Sequence, residues 1–416
     1  MSSSSSEYDN QVERFGQGFI GDQQVSFIIA GRNDLGAIGS GGVYGICVDR
    51  SRNIYVSDPK KHIILKITDR GETMLWAGKA GLASNNGGNT VTASNARFNH
   101  PAGLACDNSG NVYIADAGNH QIRKIDPDGN VSLLAGAATP TSGYVDGVNL
   151  SARFFSPHDV DVDSSGKVYV ADMRNHTIRV IAGGMTDTLA GNGTPGFVAG
   201  NGNDARFRLP MSVAANSAGR VYVADTGNYL LKRINNNGFV SIISGSGEGA
   251  IVGEGADSRY HMLKFVKVDM SDRLYAIDFD ADGYSRLLRI DDNGTSAVVV
   301  AFTGLSGFFA NGVAVDRADN LYVTESNFTE IVLAIEAGSE EQLPEGFGEG
   351  SLSYHGVPGT TANVVVNGVT FVVGNVAGSF VWDIGGSGEH TFTTIGESIS
   401  RTAGNVAFDI TWDGML

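Results

Sequence analysis

Short runs in which apolar and polar residues alternate recur along this chain, in groups of four, with a period of roughly fifty residues. One group reads Pro101-Ala-Gly-Leu-Ala-Cys-Asp107, Gly110-Asn-Val-Tyr-Ile-Ala-Asp116, Asn119-His-Gln-Ile-Arg-Lys-Ile125 and Leu133-Leu-Ala-Gly136. Alternation with period two, broken by Gly, Asn and Asp, predicts a four-stranded antiparallel sheet for each group. Such a sheet cannot bury both faces by itself, so the copies are expected to stack radially. Aligning the acid that ends each second strand gives Asp58, Asp116, Asp172, Asp225, Asp278 and Glu325, six copies in all. The fourth strand ends in a small residue and Gly in Trp76-Ala-Gly78, Leu134-Ala-Gly136, Leu189-Ala-Gly191 and Ile243-Ser-Gly245, but the sixth copy breaks off after Ile331–Ile335. Phe27-Ile-Ile-Ala-Gly31, ahead of the first copy, supplies the missing strand. The pattern therefore predicts an all-β chain: a six-bladed β-propeller over about residues 24–338, closed by an N-terminal strand so that no sheet edge is left open, and followed by a small C-terminal β domain.

With Asn119-His120 and Asn175-His176 on the third strands, these copies resemble the NHL repeat family, named for an Asn-His-Leu triplet. Between copies runs a further recurrent element, Ala96-Arg97-Phe98, Ala152-Arg153-Phe154, Ala205-Arg206-Phe207 and Ser258-Arg259-Tyr260, in which the arginines read as ties between blades. The resemblance implies a platform for ligands or proteins in most members and an enzyme in a minority. Fold does not choose between the two.

Composition narrows the classes. The 57 glycines among 416 residues fit tight turns rather than disorder, because 42% of residues are still hydrophobic. No apolar run reaches the roughly twenty residues of a membrane span. The Ser-rich start, residues 1–23, reads as a polar arm without a signal peptide's basic and apolar regions, so synthesis and folding in a cytoplasm are expected. Cys47 and Cys106 lie in neighbouring first strands one position out of register, hence on opposite sheet faces, and are expected to stay reduced. The net charge of −16 excludes the basic footprint of a nucleic-acid binder. Half of it sits after residue 338, where nine acids face the single base Arg401. There an acidic, Gly-rich linker (339–350) leads into a β segment (351–416) with strand candidates at 379–382, 390–394 and 405–412 and, around Asn367-Gly368, a two-residue hairpin turn.

The sharpest catalytic candidate is Pro157-His158. It is similar to the Pro-His element of a propeller lyase that cleaves peptidyl-hydroxyglycine, in which equivalent histidines of three blades hold a zinc ion. Three imidazoles with one open position would make a catalytic zinc. The equivalent positions here are Tyr44, Ala102, Met211, Lys264 and Asn311, so the histidines needed are missing and neither metal nor cofactor is expected. His62, His120 and His176 repeat at one structural place and read as turn hydrogen bonds, as do the strand-end aspartates. Breaks in the repeat say more. The small first-strand residues Ala105, Ala214 and Ala314 become Asp161 and Lys267 in two other copies. A charge there is costly unless paired or wet. Together with His158, Asp159, Lys264 and Asn311 they form a candidate polar ligand site at the mouth of the central channel.

The expected function is accordingly non-enzymatic: an interaction or structural propeller that contacts other protein subunits through the N-terminal arm and the C-terminal β domain. A bacteriophage virion, as a decoration, tail or receptor-contacting protein meeting a surface receptor or glycan, is the most specific version. The alternatives are a metal-dependent propeller hydrolase or lyase, whose scattered calcium ligands would leave no contiguous motif, and a ligand-binding sensor.

Overall fold

A computed structural model describes residues 42–334, apart from short stretches at 70–72, 87, 247, 250–256, 280–282, 302–308, 318 and 326–330, together with residues 26–30 and six short strands between 350 and 402. The described chain is almost wholly β, with only 3-10 turns such as Ala117–Asn119 and Met173–Asn175 between strands. No helix among the described residues is long and apolar enough to cross a membrane.

The strands up to residue 334 form six antiparallel sheets, each built around four strands. Their innermost strands are Ile46–Val48, Pro101–Cys106, Pro157–Val162, Ser212–Ala215, Phe265–Val268 and Ala310–Val315, and each neighbours the next round to the first. They are called blades one to six here. Blade six is completed by Ser26–Ala30, antiparallel to Ile331–Ala334, with Phe27 opposite Leu333 and Ile28 opposite Val332. Blades two, three and four each gain a two-residue fifth strand at the outer edge, Val91–Thr92, Gly147–Val148 and Gly200–Asn201, which the alternation pattern was too short to reveal. In the C-terminal segment, Ala362–Val366 pairs with Val369–Val373 as the Asn-Gly signal predicts, Gly350–Tyr354 pairs with Gly378–Trp382, and Glu389–Thr394 pairs with Glu397–Thr402. The candidate strand at 405–412 and the N-terminal arm lie outside the described residues.

Each blade buries both faces against its neighbours, which explains why the second strands of blades one to five are buried along their whole length. Cys47, Tyr55, Ile64 and Ala77 of blade one pack on Leu104, Val112, Ile114 and Ile125 of blade two. The other face of blade two, with Ala105, Tyr113 and Ala115, packs on Val160, Val168, Val170 and Ile181 of blade three. Filling one such position with a Val or Ile side chain is worth about 1.5–3 kcal/mol.

That face-to-face stacking corrects the expectation for the cysteines. Cys47 pairs with Tyr55 on the face turned toward blade two, and Cys106 pairs with Val112 on the face turned toward blade one. Opposite faces of adjacent blades are the faces that meet, so the one-residue offset brings the two together: they form a disulfide, with Cα atoms 5.7 Å apart. Reduction is expected to remove about 2–5 kcal/mol of stability. Thiol labelling of unreduced protein should find no reactive cysteine, and thermal melts should shift down by several degrees with reductant; two free thiols in protein made under oxidising conditions would contradict this. Deleting residues 1–31 should leave two open edges in blade six and an aggregating product. A monomer with an unchanged melting temperature would contradict the closure.

Candidate functional site

The repeated polar residues form a structural lattice. Asp116 accepts the Asn99 N–H (2.7 Å) and the Asn119 side-chain N–H (2.8 Å), and Asp172 accepts the equivalent bonds from Phe155 and Asn175, both at 2.8 Å. Asn119 and Asn175 also donate to the connectors, at Ser84 O (2.8 Å) and Gly143 O (2.6 Å). The histidine that follows occupies the left-handed region, with φ of 57° at His120 and 56° at His176. Its Nδ1 accepts a backbone N–H from the connector into the next blade: His100 for His62 (3.1 Å), Ser156 for His120 (3.2 Å) and Leu209 for His176 (3.1 Å). A ring nitrogen that accepts must be unprotonated, and burial lowers the pKa of all three. The turn role read from the repetition of His62, His120 and His176 is thus what the structure contains.

A second layer had no signal in the repeat as read. Seven residues after the strand-end acid, Arg123, Arg179 and Lys232 are fully buried beside it, at 3.7, 2.9 and 2.8 Å from Asp116, Asp172 and Asp225. Each lies over the ring of the Ala-Arg-Phe element, Phe98, Phe154 or Phe207, and donates to the carbonyl of the residue before that ring. The side chains of Arg97 and Arg153 instead turn back onto their own loops, bonding Ala96 O (2.7 Å) and Ala152 O (2.8 Å). The inter-blade tie expected of those two arginines is therefore made by their main-chain carbonyls. The alternation of buried positions in the third strand conceals a cation because its stem packs like an aliphatic side chain.

Where the repeat breaks, the structure gathers residues across the channel. Tyr44 of blade one reaches His158 of blade three, its hydroxyl 2.8 Å from Nε2. His158 Nδ1 lies 2.8 Å from Met211 O. A carbonyl can only accept, so Nδ1 carries the proton and Nε2 accepts from the tyrosine. Burial, followed by the nearby Lys264 charge, overcomes the Met211 bond and lowers the His158 pKa to about 4. Burial raises the Tyr44 pKa well above its ordinary value. Lys264 of blade five lies over the Tyr44 ring, 5.3 Å from its centre, and bonds Asn311 Oδ1 of blade six. Asn311 in turn donates to Val43 O (3.1 Å), and Phe265 packs edge-on against Tyr44 at 5.4 Å. Contacts from blade one to blades three and five can only be made across the ring axis. Tyr44, His158 and Lys264 are half-buried, so this cluster faces open channel.

The acids sit one wall further in. Asp159 accepts from Ser212 Oγ (2.5 Å) and Val213 N (3.2 Å), and Asp161 accepts from Ala215 N (2.8 Å). Both therefore cap the channel-side edge of blade four's innermost strand, which has no strand beside it. Asp161 also pairs with Lys267 of blade five at 2.6 Å, which answers the cost of placing an acid and a base at this depth. Burial pushes the Asp159 carboxyl up to about 7. Its Oδ1 lies where a Cβ on Gly103 would be, 1.9 Å away, so blade two needs glycine at that place. The six candidate residues come from blades three, five and six: His158, Lys264 and Asn311 gather around Tyr44, whereas Asp159, Asp161 and Lys267 form a second group at blades three to five. Tyr44, Phe265 and Ser212 were overlooked; the signal that could have found Tyr44 is a phenol at the position that Ala102, His158, Met211, Lys264 and Asn311 hold in the other copies.

Comparison with known proteins bears on the scaffold. The NHL repeat model matches residues 98–125 and 154–181. NHL repeat-containing protein 2 of Gallus gallus is 34% identical over 167 residues, covering 37% of this chain and 23% of that protein. Protein SUPPRESSOR OF QUENCHING 1, chloroplastic, of Arabidopsis thaliana is 31% identical over 136 residues, covering 31% of this chain and 13% of that protein. The chain thus spans less than a quarter of the length of these relatives. Among solved structures, a gluconolactonase of Xanthomonas campestris superposes with a TM-score of 0.50 at 14% identity, covering 71% of this chain and 86% of the other, which shows a shared propeller fold.

The histidine acceptors generate a pH prediction. Their folded pKa values lie below the ordinary value near 6.5, so their contribution is complete above that value and is lost as pH falls through the folded values. Between about pH 7 and 5, wild type should lose more stability than the His120→Gln/His176→Gln variant, compared by denaturant melts at each pH. Parallel curves for the two proteins would remove the histidines from the account.

Proposed function

Because the chain is an NHL-repeat propeller, we propose that it acts as a binding platform, without chemistry of its own, and that its specific recognition point is the channel mouth around Tyr44, His158, Lys264 and Asn311. The observation that supports this is the cross-axis contact of blades one, three and five: the ring repeats its lattice faithfully and abandons it where side chains meet in the channel.

The runner-up is a propeller hydrolase of the lactonase kind, favoured by the fold shared with a gluconolactonase. The donor set at the channel does not suit a divalent cation. Both nitrogens of His158 are committed, Asp161 is held by Lys267, and the Lys264 ammonium occupies the mouth beside Asn311. Hard cations want several oxygens and no ammonium among them.

The virion setting and attachment through the termini rest on composition alone; the relatives named above lend them no support. The disulfide argues that the mature protein resides in an oxidising environment, in place of the cytoplasm the sequence suggested.

Thermal-shift screening of the full chain against small polar metabolites should yield stabilising compounds whose effect is lost in Tyr44→Ala and His158→Ala. Hits indifferent to both variants would overturn the channel assignment. Hydrolysis of gluconolactone above the buffer rate, with calcium added, would overturn the non-enzymatic reading.

A further inference from the structure

We infer that the connector into blade two carries a site for a compact monovalent anion, chloride or a short carboxylate, which binds the Arg123 guanidinium at the place where blade three uses the side chain of Asp146. The site belongs to the scaffold and is independent of the channel mouth.

Strand register fixes the correspondence between the two blades. In blade three, Gly147 stands opposite Thr186, and Thr186 stands opposite Ile181, two residues after Arg179. In blade two, Val91 stands opposite Val131, and Val131 stands opposite Ile125, two residues after Arg123. Thr90 therefore takes the place of Asp146, and Gly88 that of Tyr144. On the fourth strand, Leu133 stands opposite Arg123 where Thr188 stands opposite Arg179.

These three exchanges remove the groups that complete the surroundings of Arg179. Its Nη1 lies 2.9 Å from Asp172, and its Nη2 donates to Asp146 Oδ1 (2.5 Å) and Val145 O (2.9 Å). Thr188 Oγ1 donates to the same Asp146 oxygen (3.0 Å), and the Tyr144 ring lies over the guanidinium. Arg123 is as deeply buried as Arg179, yet its surroundings are slack. Asp116 is 3.7 Å away, and the bonds to Ser132 O and Arg97 O are 3.3 and 3.4 Å long. Among the described residues, Arg123 Nη2 has no hydrogen-bond partner.

A buried guanidinium with a distant counter-charge and an unmet N–H is costly. The three other cations paired with strand-end aspartates lie 2.6–2.9 Å from their acids, so the deficit is confined to blade two. A neutral ligand would meet the N–H but not the charge; an anion meets both. Its size follows from what blade three places there, one carboxylate oxygen on Nη2. A phosphate or sulfate dianion is usually met by a guanidinium fork or several backbone N–H groups, and Nε and Nη1 of Arg123 are turned to Ser132 and Arg97. Gly88 leaves room where Tyr144 stands in blade three: a Cβ built on it would approach only Ala138 Cβ, at 3.4 Å. Gly88 and Thr90 are both exposed, so access runs through the connector.

The test is the melting temperature of the full chain with chloride, acetate or sulfate titrated in against a bulky sulfonate at constant ionic strength. Wild type should gain about 3 °C at a chloride or acetate concentration tenfold above the dissociation constant, and the gain should saturate. Thr90→Asp should melt higher than wild type in sulfonate alone and lose the response to both anions, because its carboxylate takes their place. Thr92→Asp, which adds the same charge two residues along the same edge, should keep the response. Should Thr90→Asp fail to fold, anomalous scattering from bromide-soaked crystals of wild type decides: bromide in contact with Arg123 Nη2 supports the site, and water alone there overturns it. A response that does not saturate, or that Thr90→Asp retains, overturns the inference. So does bromide at Arg123 with no anion dependence of melting, which would mark an adventitious ion only. A saturating gain from sulfate equal to that from chloride would overturn the monovalent assignment.

Discussion

In blades two to five, the buried ion pair between the strand-end aspartate and a cation on the next strand is the constraint on which the connections between blades depend. Asp116–Arg123, Asp172–Arg179, Asp225–Lys232 and Asp278–Arg286 are removed from water almost completely. Charges at that depth are costly unless paired and hydrogen-bonded. The connector between blades supplies those partners: a backbone N–H to the acid and, in blades two to four, a carbonyl and an aromatic ring to the cation. A connector that shifted would leave a buried charge exposed to unmet desolvation, so the pair dictates the path from one blade to the next. The ring wedged there also helps explain the Gly that ends the fourth strand in blades one and three: a Cβ at Gly78 or Gly191 would lie 2.7 Å from a backbone carbonyl and 3.2 Å from Phe98 or Phe207, and both glycines have left-handed φ, +97° and +93°.

Blades one and six lack this cation. Leu65 and Val332 stand where the register puts Arg123 in blade two. These two blades meet at the seam of the ring, and different devices hold them. The N-terminal strand completes blade six. Ser57 Oγ donates to Ala102 O (2.6 Å), and the Cys47–Cys106 disulfide joins blade one to blade two. Strength is thus distributed by kind, electrostatic in the middle of the chain and covalent or strand-pairing at its ends.

Function follows from the contrast between scaffold and channel. The lattice uses its histidines and aspartates up in packing, which is why their abundance carries no catalytic meaning. At the channel the inner strands face one another across an axis, and the side chains there answer to no repeat. Neutral His158, protonated on the nitrogen that faces Met211, and Lys264 over the Tyr44 ring are among the side chains that depart from the repeat there.

The alternation of residues, the period and the strand-end acids were enough to specify sheets, their number and the closing strand, because local backbone geometry and edge satisfaction leave few other solutions for such a pattern. The Asn-His turns were legible for the same reason: they are contacts between near neighbours in sequence, repeated. Tertiary structure alone decided the rest. Whether Cys47 and Cys106 meet depends on which faces of two separate sheets are stacked; whether Asp161 is costly depends on Lys267, 106 residues away; and whether His158 is a ligand or a wall depends on Tyr44, 114 residues away, reaching across the axis. Pairings of that kind are set by the closure of the ring, and a one-dimensional pattern carries the residues involved without the distances that give them their chemistry.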